Sequence, residues 1–585
     1  MVLGTLGGLS CTSSVLVRGL VAHAKPRAMS CASAALDQWP SAFENTILRD
    51  LRAEPPGKPT DQSREVRGAH LTKVRPSVSA PEPVLVACAA DVAADLGLTP
   101  EDCESDSFLR CFAGAPPGEF DCWATAYGAS FFGRYGGQRG DGRAISIGVV
   151  RGREVQLKGA GRTPYSRQFD GRAVLRSTVR EFLASEAMAA LRVPTSRALC
   201  VVATGERIRR AWYADDGRER VVYEPGAVGT RVASSFLRFG QLELYYQRGE
   251  TDLLIELATH ALRREFSHLL VQHPSGPLAR SLVRMFAEVC ERQARLVAGW
   301  LRVGYAQGNM NSDNSALGGF TLDYGPFGFV EAYAPDYCPW TGGAPGYCFA
   351  NQPQAAAINL ARLSDVFAEV VQTVGKADGL PGAEITSMID ELRAAVSSGY
   401  VGTFHAAHND ACRAKLGLAT WTTETDGAMW TDLMKLLASA GNLGEGVDFT
   451  LFFRALTDFE AGTADAGVLG ALRASALDDV DAWPAEQREA WAAWGDRFAQ
   501  RVRADGRPHN ERVSEMRTAS PKYILRNWMA AEAYDAAASG EYELVREMHR
   551  VLRSPYDDQG DDVDARWAQP TPTWARRKAG LAFLS

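Results

Sequence analysis

The sequence predicts an α+β fold of two lobes: a mixed N-terminal lobe with a sheet and a helix, then a larger, mostly helical C-terminal lobe. Three observations predict it. Short apolar segments bounded by Gly and charged residues cluster between Arg143 and Thr204. After about residue 250, long stretches carry apolar residues at three- and four-residue spacing. A loop-like segment, Gly304–Phe329, interrupts those stretches as a join would. With 585 residues, 46% of them apolar, the chain is too long for one small core.

In chain order, residues 37–80 are rich in Pro and charge and read as an extended arm. Val84–Leu96 and Glu101–Phe112 read as helices. Glycine dominates Tyr127–Gly142, which reads as a loop. Arg143–Val150 and Arg153–Leu157 read as strands split by a turn at Arg151-Gly152. Thr178–Leu191 has helical spacing, and Thr178-Val179-Arg180-Glu181 also fits a capping box, the alternative to a functional role for Glu181. Ala198–Thr204 reads as a strand. Helical patterns follow at Leu253–Leu269, Leu282–Leu301, Gln354–Val374, Glu384–Ser398, Glu486–Val502 and Tyr523–Leu552. The expected organisation is an N-lobe over 81–250, a C-lobe over 251–480 and a helical extension of the C-lobe over 481–585. A glycine loop, two strands, a helix and further strand, followed by a helical lobe, is the layout of a protein-kinase-like fold.

The net charge of -7 argues against a general nucleic-acid binder. Yet Arg134–Arg180 holds eleven Lys/Arg against three Asp/Glu, a local field suited to a small anionic ligand. The eleven cysteines are scattered, with no C-x-x-C pair, and read as thiols of an intracellular protein. No apolar run is long enough for a membrane span. Residues 1–36 contain no Asp or Glu but include Arg18, Lys25 and Arg27, the composition of an organelle transit peptide. The expected destination is the mitochondrion, with plastid and cytoplasm as alternatives.

Three constellations carry chemistry. Gly140-Asp141-Gly142-Arg143 ends the glycine segment; such glycines let backbone N–H groups approach phosphates, and the Arg adds charge, although a surface hairpin would look the same. Lys158 leaves a strand, and Glu181 lies on the next helix where it could pair with that Lys; the alternatives are a solvated strand end and a capping residue. Asn311-Ser312-Asp313-Asn314, with Asp323-Tyr324-Gly325 beyond, supplies a carboxylate and an amide oxygen for a hard cation and a second Asp to take a proton. A turn would also favour those residues. His405, His408 and Cys412 lack a fourth ligand and do not read as a metal site. The stretch around Trp483, Trp491 and Trp494 reads as a packed helix face.

Together, the strings Gln156–Gly161, Thr163–Arg167, Asp170–Ser177, Arg180–Leu183, Glu224–Val228, Thr230–Ala233, Asp323–Phe329, Asn351–Pro353, Asn359–Leu363, Pro521–Asn527 and Ser554–Asp557 resemble the selenoprotein O (YdiU-like) family from about residue 40 onward. The resemblance implies a pseudokinase-type fold with ATP bound in a flipped orientation, so that AMP passes to Ser, Thr or Tyr hydroxyls of protein substrates and pyrophosphate leaves. It implies Mg²⁺, with Mn²⁺ as the substitute. By position, Gly140, Gly142, Arg143, Lys158, Asp170, Gly171, Arg231, Arg238 and Asp323 look like ATP contacts, and Glu181 like the partner of Lys158. Asp313 is similar to the proton acceptor, and Asn314 and Asp323 to the metal ligands. Competing readings are ordinary phosphoryl transfer and an inactive nucleotide-binding scaffold. The chain departs from the family at Gly128-Ala129-Ser130-Phe131-Phe132-Gly133, where Gly-His-Gln-Phe-Gly is usual, and at Gln307-Gly308, where His-Gly is usual. Family members end in a Cys or selenocysteine close to the position of Ser585. A selenocysteine beyond Ser585, able to bond with Cys338 or Cys348, is therefore an expectation.

Overall fold

The computed structural model describes residues 34–213, 218–272, 276–441, 446–460 and 467–576. All but the end of the transit-peptide-like segment, and the whole terminus after Arg576, lie outside them.

The N-lobe is built on an antiparallel sheet. Its strands are β1 (Leu71–Lys73), β2 (Val84–Cys88), β3 (Trp123–Phe131), β4 (Arg134–Gly140), β5 (Ala144–Val150), β6 (Arg153–Lys158), β7 (Ala173–Val174), β8 (Arg197–Tyr213) and β9 (Glu219–Ala233). The order is β1-β3-β5-β6-β9-β8-β2, with β4 on β3 and β7 on β9. β5 is buried along its whole length, as its unbroken apolar run requires. The turn after it holds both Arg151 and Gly152 at positive φ, 49° and 71°.

Several elements differ from the sequence reading. Val84–Cys88 is a strand, not the start of a helix: its β-branched residues pair with β8, and a helix forms only from Ala90 to Asp95. The glycine segment is no free loop but the hairpin β3–β4, closed at Phe132-Gly133. The helix Leu175–Ala190 starts three residues before the expected capping box. The Thr178 hydroxyl donates instead to the Val174 carbonyl (2.9 Å), and Glu181 is turned to other work. Residues 37–80 are not simply extended: the helix Ala34–Ala42 runs into them, and they hold the helix Thr46–Asp50 and β1. Leu253–Leu269 breaks at Phe266, and Tyr523–Leu552 is two helices, Asn527–Ala538 and Glu543–Leu552, turned at Gly540 with φ 90°.

The C-lobe centres on the helix Leu278–Val303, whose apolar face packs against Gln352–Ala377 and Val401–Leu416. One apolar core runs from the sheet through this helix to Trp528 and Trp567. A second surrounds Trp491 and Trp494, both fully buried, so the tryptophan-rich stretch is a packed helix face. His408 and Cys412 meet one another (Sγ–Nδ1 3.6 Å), but among the described residues no group of three ligating side chains could hold a metal. No described helix is long and apolar enough to cross a membrane.

The helices Asn527–Ala538 and Glu543–Leu552 return to the N-lobe and pack on Leu175–Ala190. Arg546 donates to the Val86 and Leu85 carbonyls of β2 (3.0 and 3.2 Å), and the Tyr556 hydroxyl donates to the Leu191 carbonyl (3.1 Å). The helix that carries Glu181 is thus held from both sides.

Candidate active site

Lys158 is the last residue of β6, fixed across the sheet by Ala144 of β5 and Gly229 of β9. Its Nζ donates to Glu181 (2.7 Å), from the helix, and to Asp323 Oδ1 (2.6 Å), from the Gly304–Phe329 loop of the C-lobe. Arg231 of β9 stands opposite Gln156 of β6. It donates to the Gln156 side chain and to the same Asp323 oxygen (2.7 Å). Burial works against the charge on Asp323, but Lys158 and Arg231 outweigh it and hold the carboxyl well below the usual carboxylate range.

Asp313 and Asn314 lie in the short 3₁₀ turn Ser312–Asn314. Burial raises the Asp313 carboxyl, and its Oδ1 is buried without a partner. Arg238 is buried behind it, stacked on the Tyr127 ring (4.3 Å) and donating to the Asp313 carbonyl (3.0 Å). The side-chain nitrogen of Asn314 is directed at the Asn309 carbonyl (3.4 Å), which leaves its oxygen for a ligand.

Gly140 and Gly142 are required by packing as well as by any ligand. Gly140 has φ +148°, and a Cβ there would lie 2.4 Å from Tyr165 Cγ; at Gly142 it would lie 2.9 Å from the Tyr165 carbonyl oxygen. Between them, Asp141 accepts from the Thr125 N–H (2.9 Å) and hydroxyl (2.6 Å). Gly171 has φ +73° and backs onto the Gly161 backbone at 2.3 Å from an added Cβ. Arg143 is exposed, close enough to Asp323 to add to the field that keeps it ionised. Asp170 is at the exposed rim, paired with Arg210 (2.7 Å), and no hydrogen bond or ion pair joins it to the Lys158 cluster.

The structure therefore brings Lys158, Glu181, Arg231 and Asp323 into one hydrogen-bonded cluster and gathers Arg238, Asp313 and Asn314 at the turn. Residues that sequence reasoning passed over hold them there. Gln307, noted only as a departure from the family pattern, donates to the Asp323 carbonyl (3.0 Å) and accepts from the Tyr305 hydroxyl (2.6 Å). Its N–H donates to Gln352 Oε1 (2.9 Å). Asp141 was legible only as a member of Gly-Asp-Gly; its role as a bracket for Thr125 was not.

A kinase-like pair of lobes, with a Lys–Glu pair, a cation-bound Asp and an Asp-Asn turn, defines a nucleotide-dependent transferase. The family model described as protein adenylyltransferase SelO matches residues 61–553, and the chain belongs to that family. It is a protein nucleotidyltransferase, of the kind that attaches AMP to protein. Similar proteins are each called protein nucleotidyltransferase YdiU. That of Xanthomonas campestris pv. campestris (strain B100) is 42% identical over 546 residues, 92% of this chain and 98% of the relative. That of Rhodopirellula baltica is 40% identical over 562 residues, 93% and 98% respectively. That of Aromatoleum aromaticum is 39% identical over 564 residues, with the same coverage.

Proposed function

We propose that the chain transfers AMP from ATP to Ser, Thr or Tyr hydroxyls of protein substrates, with Asp313 as the proton acceptor. The observation that carries this reading is the buried, unpartnered Oδ1 of Asp313 in the turn beside the Lys158–Asp323–Arg231 cluster. Desolvation that raises the Asp313 carboxyl brings its basicity closer to that needed to take a hydroxyl proton. The hydroxyl oxygen attacks the α-phosphorus, the bond to the bridging oxygen breaks, and pyrophosphate leaves. Lys158, Arg231, Arg238 and Arg143 meet the negative charge of the phosphates, with Gly140, Gly142, Asp170 and Gly171 forming the remaining nucleotide contacts. Glu181 keeps Lys158 in place. Asn314 and Asp323 present hard oxygens that suit Mg²⁺ or Mn²⁺ with phosphate and water completing the shell; Asp323 Oδ1 carries the two cationic side chains, which leaves Oδ2 for the ion. When bound, the ion neutralises charge on the phosphate oxygens.

Incubation with ATP labelled at either end tests the reaction. Label from the α-phosphate should stay on protein, and label from the γ-phosphate should leave with pyrophosphate; retention of the γ-label alone would establish phosphoryl transfer instead. The acid-free residues 1–36 support mitochondrial targeting. A fusion of those residues to a fluorescent protein should enter mitochondria, and diffuse cytosolic signal would overturn that reading.

A further inference from the structure

Strand β3, the helix Phe239–Arg248 and the Ser312–Asn314 turn meet at one buried carboxylate that the proposed reaction does not use. Glu243 is 3% exposed. Its Oε2 accepts from the hydroxyls of Ser130 on β3 (2.8 Å) and Ser312 in the turn (2.5 Å). The Ser312 oxygen in turn accepts the backbone N–H of Ser130 (2.8 Å), closing a triangle. The other carboxyl oxygen, Oε1, is buried without a partner. A carboxyl in so dry a place costs free energy that two neutral hydroxyls repay only in part. Burial raises it above the usual carboxylate range, and the hydrogen bonds from Ser312 and Ser130 offset that only in part.

The same helix grips the turn elsewhere. Arg238, its N-cap, donates to the Asp313 carbonyl (3.0 Å), and the Phe239 N–H donates to the Ser315 carbonyl (2.9 Å). The turn's own bonds are few: Asn314 N–H to the Asn311 carbonyl (2.8 Å), Ser315 N–H to the Ser312 carbonyl (3.3 Å) and the Asn314 side chain to the Asn309 carbonyl (3.4 Å). From these contacts we propose that Glu243 is a positioning residue, which fixes the Asp313 turn in register with the β3–β4 hairpin. The proposal rests on the transfer reading for its effect on rate.

The test compares Glu243→Ala with Glu243→Gln, whose amide oxygen can accept the same two hydroxyls. Glu243→Ala should lower kcat by about 100-fold, the cost of a misplaced reacting group, while Kd for ATP stays within about twofold. Glu243→Gln should keep kcat within about fivefold of the parent. Amide exchange at Asn314 and Ser315, followed without nucleotide, should accelerate in Glu243→Ala and not in Glu243→Gln. Unchanged kcat and exchange in Glu243→Ala would overturn the proposal. So would loss of ATP affinity in step with kcat alongside faster exchange across the whole lobe, which is general destabilisation. If the parent enzyme transfers no AMP, the transfer reading fails, and the exchange measurement alone decides whether Glu243 holds the turn.

Discussion

Asp323 joins both halves of the site, since Lys158 and Arg231 converge on one of its oxygens at 2.6 and 2.7 Å. Asp323→Ala should remove transfer activity to below about one-thousandth of the parent, because it deprives Arg231 of its carboxylate partner, leaves Lys158 with Glu181 alone and strips the proposed ion of its carboxylate. Labelled-AMP incorporation measures this. Lys158→Met should weaken phosphate positioning; full activity in that variant would exclude the assigned contact. His70 adds a separate contribution to acid stability. Burial lowers the His70 imidazole from 6.5 to about 4, with Glu256 (3.3 Å) opposing only in part. The unfolded chain therefore binds a proton near pH 6.5 that the folded chain refuses until about pH 4. Stability linked to this ring is complete above pH 6.5 and falls as pH drops toward 4, by about 2 kcal/mol between pH 7 and pH 5. Denaturant unfolding at both pH values, compared with His70→Gln, should show the slope shallower by that amount in the variant. None of this was legible in the sequence, where His70 is one of nine histidines without a motif.

At the scale of the element, the β3–β4 hairpin shows why a glycine-rich stretch is ambiguous. Glycine reads as loop because it favours no regular structure, yet β3 pairs with β1, β4 and β5, and the pairing overrides propensity. The glycines within it are not equivalent. Gly137 has φ +88° with nothing within 4 Å of an added Cβ, whereas Gly140 has φ +148° with Tyr165 Cγ at 2.4 Å. Gly137→Ala should cost about 1 kcal/mol from backbone strain alone, and Gly140→Ala about 2 kcal/mol more from overpacking. Urea unfolding of the two variants separates the terms, and equal costs would contradict the Tyr165 contact. The capping box at Thr178 failed for a related reason. Its spacing was correct, but the Glu it needs is occupied by Lys158, and the helix has already begun at Leu175.

Over the whole molecule, the chain beyond residue 520 closes the structure by tying the lobes together. Arg526 is fully buried and forks onto Asp448 (2.6 and 3.1 Å), which also caps the helix Phe449–Ala455 by accepting the Leu451 N–H (2.9 Å). One residue further, Asn527 receives Arg180 (3.4 Å) from the N-lobe helix. Arg526→Ala should destabilise by about 3–5 kcal/mol, because it leaves a buried carboxylate without its counter-charge. A loss of this size lowers the unfolding midpoint clearly in a thermal scan. A midpoint within a degree of the parent would show that solvent reaches Asp448.

The sequence by itself determined the two-lobe α+β plan, the family, and the pairing of Lys158 with Glu181. These rest on local pattern: apolar periodicity fixes element type, and unusual strings such as Gln156–Gly161 and Asp323–Phe329 mark the family. Only the tertiary structure decided how Lys158, Arg231 and Asp323 share one carboxyl oxygen, which residues hold the Asp313 turn, and where the C-terminal helices dock. Each of these depends on contacts between residues more than 60 positions apart, such as Glu243 with Ser312 and Arg546 with Val86. Local propensity carries no information about such pairings, because their free energy exists only once the lobes have packed.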